Sequence, residues 1–229
     1  MTLIVSGKFT SGVVIQADGR SNFNGSIKDD CLQKIFPIAC SLIAVSHSGI
    51  NEFKSSSAIA HLSSDGDQLK ICVADALLSL DLRKLRSHMD VAVCLIEKLG
   101  PLIARSWCSC NDCKTKNEDT CFIIDGFDAF KCPQRIRLAW DYGSVLPRIQ
   151  SQPEWGWAYG TGASVKWPKL PPNPIGTIQH WAEVVDGIHS DAMKRAGDCC
   201  GGHIHSLVIT PHGWTWTKPP ANEPIYLGH

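Results

Sequence analysis

Met1-Thr2-Leu3-Ile4-Val5-Ser6-Gly7 opens the chain, Gly12-Val13-Val14-Ile15-Gln16-Ala17-Asp18-Gly19-Arg20 follows it, and Gln33-Lys34-Ile35 comes shortly after. Residues 2–6 and 12–17 are mostly apolar and rich in β-branched side chains, and the segment between them, Gly7 to Gly12, has glycine at both ends. Branched side chains suit a pleated surface and glycine suits a turn, so the pattern predicts a β-hairpin with Thr2 at a strand end. Removal of Met1, which the small side chain of Thr2 permits, would leave a hydroxyl and a free α-amine on one residue. An α-amine titrates near ~8, the lowest of the common amines, and can take the hydroxyl proton close to neutral pH. Thr2 would then carry a nucleophile and its own base.

Asp18 and Lys34 follow Thr2 by 16 and 32 residues. With the apolar strands around them, these three residues resemble the N-terminal half of proteasome β-type subunits and their bacterial relatives, threonine peptidases of the N-terminal-nucleophile hydrolase superfamily. The resemblance implies Thr2 as nucleophile, Lys34 as the cation that sets the protonation of hydroxyl and amine, and Asp18 as the group that holds Lys34 charged and in place. It also implies an oxyanion-stabilising backbone N–H in Ser46-His47-Ser48-Gly49-Ile50, from Ser48 or Gly49, and a contact to the amine from Thr161, with Ser164 as the second choice. Such subunits assemble into rings with enclosed sites, so a homo-oligomer acting on a peptide or small amide is the expectation.

The resemblance runs in pieces from Thr2 to about Trp216 and departs from the family near its far end. There an Arg-Asp pair is followed by two residues and then Ser-Gly-Gly, whereas Arg195-Ala196-Gly197-Asp198-Cys199-Cys200-Gly201-Gly202 is one residue shorter between Asp198 and the glycines. Anchoring on the glycines puts Cys200 in the serine's place; anchoring on Asp198 keeps the carboxylate and loses the serine.

At 229 residues the chain suits one domain spanning 1–229, and its 22 Lys+Arg balance 22 Asp+Glu, so no global charge recruits nucleic acid or an anionic membrane. No apolar run approaches the ~20 residues of a membrane span, and the start lacks a signal-peptide layout, which places the chain in the cytoplasm. Eleven cysteines, an odd number without an export signal, read as thiols or metal ligands. Cys31, Cys40, Cys72, Cys94, Cys199 and Cys200 read as small core residues. Cys108, Cys110, Cys113 and Cys121 crowd a polar loop over about 107–121, where four thiolates could close a structural zinc site; no cofactor is required by the chemistry proposed for Thr2.

In chain order, Ser21 to Asp30 reads as loop, and Lys34-Ile38 and Ser41-Ser46 read as strands too apolar for a sheet with one wet face. Apolar residues spaced by three and four predict helices over roughly 68–85 and 89–106. Phe122–Asp128 reads as a strand, Arg135–Val145 as a hairpin, and Trp155–Ser164 as a strand ending in a turn. The four prolines of 167–176 make a stiff loop. Thr177–Ala196 is an amphipathic helix capped by Thr177 or Gly176, His203–Thr210 is a strand turning into Trp214-Trp216, and a proline-rich tail begins near 217. His203 and His205 share one strand face and could chelate, but their apolar flanks favour an ordinary structural role. Periodicity supports mixed α and β. The resemblance sharpens this to an α+β four-layer α-β-β-α sandwich. The functional expectation is a threonine-type amide or peptide hydrolase; its rivals are a noncatalytic structural or partner-binding member of the same fold and a small-molecule amidase or acyl transferase.

Overall fold

The computed structural model describes residues 2–23, 26–54, 70–82, 85–106, 120–151, 156–159, 175–197 and 200–228. In order, the chain forms β1 (Ile4–Phe9), β2 (Gly12–Asp18), β3 (Ser21–Phe23), β4 (Ser26–Asp29), β5 (Ile35–Pro37), β6 (Ile43–Ser48), β7 (Glu52–Lys54) and β8 (Lys70–Cys72). Helices α1 (Val73–Leu78) and α2 (His88–Ser106) come next, then β9 (Thr120–Phe127), β10 (Pro133–Trp140), β11 (Arg148–Ser151) and β12 (Gly156–Tyr159). Helix α3 (Ile178–Ala196), β13 (Ile204–Thr210) and β14 (Gly213–Lys218) complete it.

Two five-stranded sheets, antiparallel between all neighbours, carry the architecture: β12-β1-β2-β13-β14 and β11-β10-β9-β6-β5. Strand alternation sorts the apolar residues into three clusters. Ile4, Val13, Ile15, Leu207 and Ile209 of the first sheet meet Ile35, Ala44, Cys121, Ile123 and Phe127 of the second. On the other face of the first sheet, Leu3, Val5, Phe9 and Val14 pack on Trp181, Val185 and Ala192 of α3, where Phe9 and Trp181 stack with ring centroids 4.3 Å apart. On the other face of the second sheet, Val45, Phe122, Ile124, Leu138 and Trp140 pack on Val91, Leu95, Leu99 and Ile103 of α2. The fold is thus mixed α/β, dominated by antiparallel sheet with few helices.

The hairpin is tighter than its glycines suggested: β1 runs to Phe9, which pairs with Gly12, leaving only Thr10 and Ser11 for the turn. Thr177 caps α3 as expected, its hydroxyl accepting the His180 N–H at 3.2 Å. Three local expectations need correction. The helix over 68–85 shrinks to the six residues of α1, because Lys70–Cys72 is taken as a strand by Glu52–Lys54 and Cys72 caps the short helix after it. The loop over 21–30 contains the ribbon β3–β4. Strand β6 extends through Ser48, so the turn begins at Gly49. The tail is docked: Gln33 holds Ile225 through both its side-chain amide atoms at 2.8 Å, and Leu227 is buried beside Ile38. The cysteines also divide differently, with Cys31 and Cys40 exposed, Cys72 and Cys94 half-buried, and Cys200 buried.

Candidate active site

Asp18 ends β2, where two bonds tie it to the start of β1: the Asp18 N–H donates to Leu3 O at 3.1 Å, and Asp18 Oδ1 accepts the Leu3 N–H at 2.9 Å. The residue after Thr2 is therefore clamped on both sides. Leu3 and Val5 face α3 and Ile4 faces between the sheets, so alternation puts Thr2, itself buried, on the inter-sheet side.

Lys34 stands just before β5 and points its ammonium at the same carboxylate. Its Nζ donates to Asp18 Oδ1 at 3.0 Å and to Arg20 O at 2.6 Å, and neither side chain of the pair is exposed. Asp18 Oδ2 accepts a further bond, from the Gly201 N–H at 3.0 Å. Thus three segments distant in sequence converge on one carboxylate. Burial pushes the Lys34 pKa below the usual lysine range, and the Asp18 charge opposes the shift without cancelling it.

The Gly201-Gly202 turn is tight, and at Gly202 the obstacle is backbone. Gly202 has φ +74° and a Cβ there would lie 2.3 Å from Asp30 O; at Gly201 a Cβ would lie 2.8 Å from the Arg20 guanidinium. Arg20 and Asp30 hold this turn through an ion pair at 2.7 Å, with the Arg20 backbone N–H donating to Gly201 O at 2.9 Å and the His203 N–H to Asp30 O at 2.7 Å. Cys200, next to the glycines, is buried against the α3 side of the first sheet, and a thiolate there would raise the Lys34 pKa.

Three histidines surround the Lys34–Asp18 pair, and nothing in the sequence assigned them to it. His205 Nε2 accepts the Lys34 backbone N–H at 3.0 Å, and the His47 backbone N–H donates to Lys34 O at 3.0 Å. Burial, reinforced by the Lys34 charge, drives both imidazoles down to a pKa of about 3. His189 of α3 is fully buried and held at about 4, with burial lowering it and Asp18 raising it. Only the fold makes these histidines visible, because each comes from a different element.

Ser48 is buried at the end of β6 opposite Cys121, and Gly49 has φ +108°, a conformation that favours glycine. Thr161, Ser164, Asp198, Cys199, Cys108, Cys110 and Cys113 lie outside the described residues. Cys121 sits inside β9 in the inter-sheet cluster. His203 is exposed, its ring 2.7 Å from Pro219 O, whereas His205 is buried. Among the described residues no group of three or more His, Cys, Asp or Glu is arranged to hold a metal ion, and no helix is long and apolar enough to cross a membrane.

A second buried polar group lies between the sheets. Ser6 Oγ donates to Asp125 Oδ2 at 2.6 Å, Arg135 Nε donates to Asp125 Oδ1 at 2.6 Å, and Arg135 Nη2 donates to Ser6 Oγ at 2.7 Å.

No protein family and no curated protein matches the chain at the level of sequence. Among solved structures it is similar to Anbu (ancestral beta-subunit) from Yersinia bercovieri, with a TM-score of 0.61 at 13% identity, over 97% of this chain and 88% of that one. At that identity the likeness speaks for the fold: the chain is built like that ancestral beta-subunit over almost its whole length.

Proposed function

We propose that this chain is a threonine-type amide hydrolase, a proteasome β-like peptidase of the N-terminal-nucleophile class, activated by cleavage of the Met1–Thr2 bond. The observation that carries this reading is the fully buried Lys34–Asp18 pair, bonded to the backbone of the residue next to Thr2. The overall likeness to an ancestral beta-subunit supports it. So do the three apolar clusters, one between the sheets, one between the first sheet and α3 and one between the second sheet and α2, which is the packing a four-layer α-β-β-α sandwich would need.

In this reading the Thr2 hydroxyl oxygen attacks the carbonyl carbon of an amide while its proton passes to the α-amine. The proton then goes to the departing amine as the C–N bond breaks, leaving an ester on Thr2. Water adds to that ester, the C–O bond breaks, the acid product leaves, and the hydroxyl recovers its proton. The Lys34 ammonium favours the developing negative charge on oxygen and disfavours a second cation at the amine. Asp18 positions Lys34, a backbone N–H from Ser48 or Gly49 would meet the oxyanion, and Thr161, Asp198 and Cys200 would support the amine. The same reading carries a single domain, a cytoplasmic homo-oligomer in the form of a ring, and a peptide or small amide as substrate.

Intact-mass spectrometry of purified protein, followed by an electrophilic probe for N-terminal threonine, tests the reading. The expected result is a mass lacking Met1 and one probe adduct on Thr2, absent in Thr2→Ala. Retention of Met1 in the assembled protein, or a processed protein inert to the probe, would assign the chain to the noncatalytic members of the fold.

A further inference from the structure

Lys34 is held at three points: its ammonium by Asp18 and Arg20 O, its carbonyl by the His47 N–H, and its own N–H by the His205 ring. The third contact is unlike the others. A backbone N–H at the start of a strand ordinarily meets a carbonyl, and here it meets an imidazole nitrogen that comes from β13, 171 residues away. An imidazole nitrogen can accept only when it carries no proton, so His205 must be neutral with its proton on Nδ1. The Trp216 ring system makes a T-shaped contact with it, with centroids 6.3 Å apart and planes at 62°.

We propose that His205 is the positioning residue for Lys34, its bare Nε2 fixing the lysine backbone so that the ammonium stands against Asp18. This rests on the role given to Lys34 above and adds a residue to it. The charged and titratable groups facing His205 are the Lys34 ammonium, His189 from α3 and His203 two residues before it. A proton on His205 would remove the acceptor and set a second cation beside Lys34, so the same contact that places the lysine also keeps the imidazole neutral. Burial favours that state as well: His205 is 1% exposed.

Two variants separate the acceptor from the bulk. His205→Gln can place its Oε1 where Nε2 stands and does not titrate; His205→Leu fills the space without an acceptor. Both are compared with the unaltered protein by the rate and concentration dependence of probe addition to Thr2 across pH. His205→Leu is expected to lose about tenfold to a hundredfold in the maximal addition rate, the scale of a misplaced catalytic group, with half-saturation by the probe unchanged. Its alkaline limb should shift as Lys34 changes its surroundings, and His205→Gln should stay within about threefold of the unaltered rate. If His205→Leu folds and matches the unaltered rate and pH profile, or His205→Gln fails as badly as His205→Leu, the proposal is overturned. Nitrogen NMR of the His205 ring needs no activity: a proton on Nδ1 with Nε2 bare between pH 5 and 8 supports the contact, and a proton on Nε2 sinks it. A bare Nε2 in a protein inert to the probe would retain the contact while removing the catalytic reading.

Discussion

Lys34 and Asp18 meet at 3.0 Å with neither side chain exposed, and the same carboxylate also takes the N–H groups of Leu3 and Gly201. Asp18 is the hub, because three donors lose their acceptor if it goes. Asp18→Ala is therefore expected to cost about 3–5 kcal/mol, the usual scale for stranding a buried charge. Lys34→Met leaves Asp18 its two backbone donors and should cost less. Urea midpoints at unchanged slope measure both, and the reverse order would mean that Asp18 is not what ties these segments together.

The turn at Gly202 makes a prediction that depends on backbone alone. Gly202→Ala forces a side chain into φ +74° and to within 2.3 Å of Asp30 O, so it should destabilise by more than about 1 kcal/mol and loosen the Gly201 N–H from Asp18. Gly187, inside α3 with nothing within 4 Å of a Cβ, is the control, and Gly187→Ala should stabilise by about 0.5–1 kcal/mol. Thermal unfolding of the two variants gives opposite signs if the geometry holds.

Acid should unfold the protein earlier than its neutral net charge suggests. His47 and His205 are held at about 3, and His88 and His189 at about 4, against an ordinary 6.5, with burial the leading cause in each. Below pH 6.5 the unfolded chain takes up protons that the folded chain refuses, so stability is full above that pH and falls as pH drops towards about 3–4. Each histidine contributes a slope of at most about 1.4 kcal/mol per pH unit within that window. Denaturant unfolding from pH 7 to pH 5 should show the decline, and His189→Leu should flatten it by roughly a quarter of the total.

Between the sheets, Ser6 both donates to Asp125 and accepts from Arg135. Ser6→Ala should cost about 1–3 kcal/mol, as expected when buried charged partners lose one hydrogen bond each. Asp125→Ala, which strands the guanidinium, should cost about 3–5 kcal/mol. A double-mutant cycle on Ser6 and Arg135 should give a coupling above about 0.5 kcal/mol; additivity would show that the hydroxyl contributes nothing beyond its volume.

The elements that depend on nearest neighbours could be read from the chain. The branched residues of Leu3–Val5 and Val13–Ile15 favour a hairpin through their own local pattern, and Thr177 ahead of an amphipathic stretch caps a helix by bonding only three residues on. The separations of Asp18 and Lys34 from Thr2 pointed to the pair that the fold brings to 3.0 Å. Contacts across large separations could not be read that way. Residues 70–72 carried a helical spacing, yet β7 offered them a strand partner, which local periodicity cannot anticipate. Nothing adjacent to Lys8 or Arg135 in the chain calls for burying a cation, and His205 read as an ordinary strand histidine. Packing two sheets face to face removed the first two from water and set the third against Lys34. A buried polar atom must find a partner, and which partner it finds is decided by the sheets that close over it, not by the residues on either side of it in the chain.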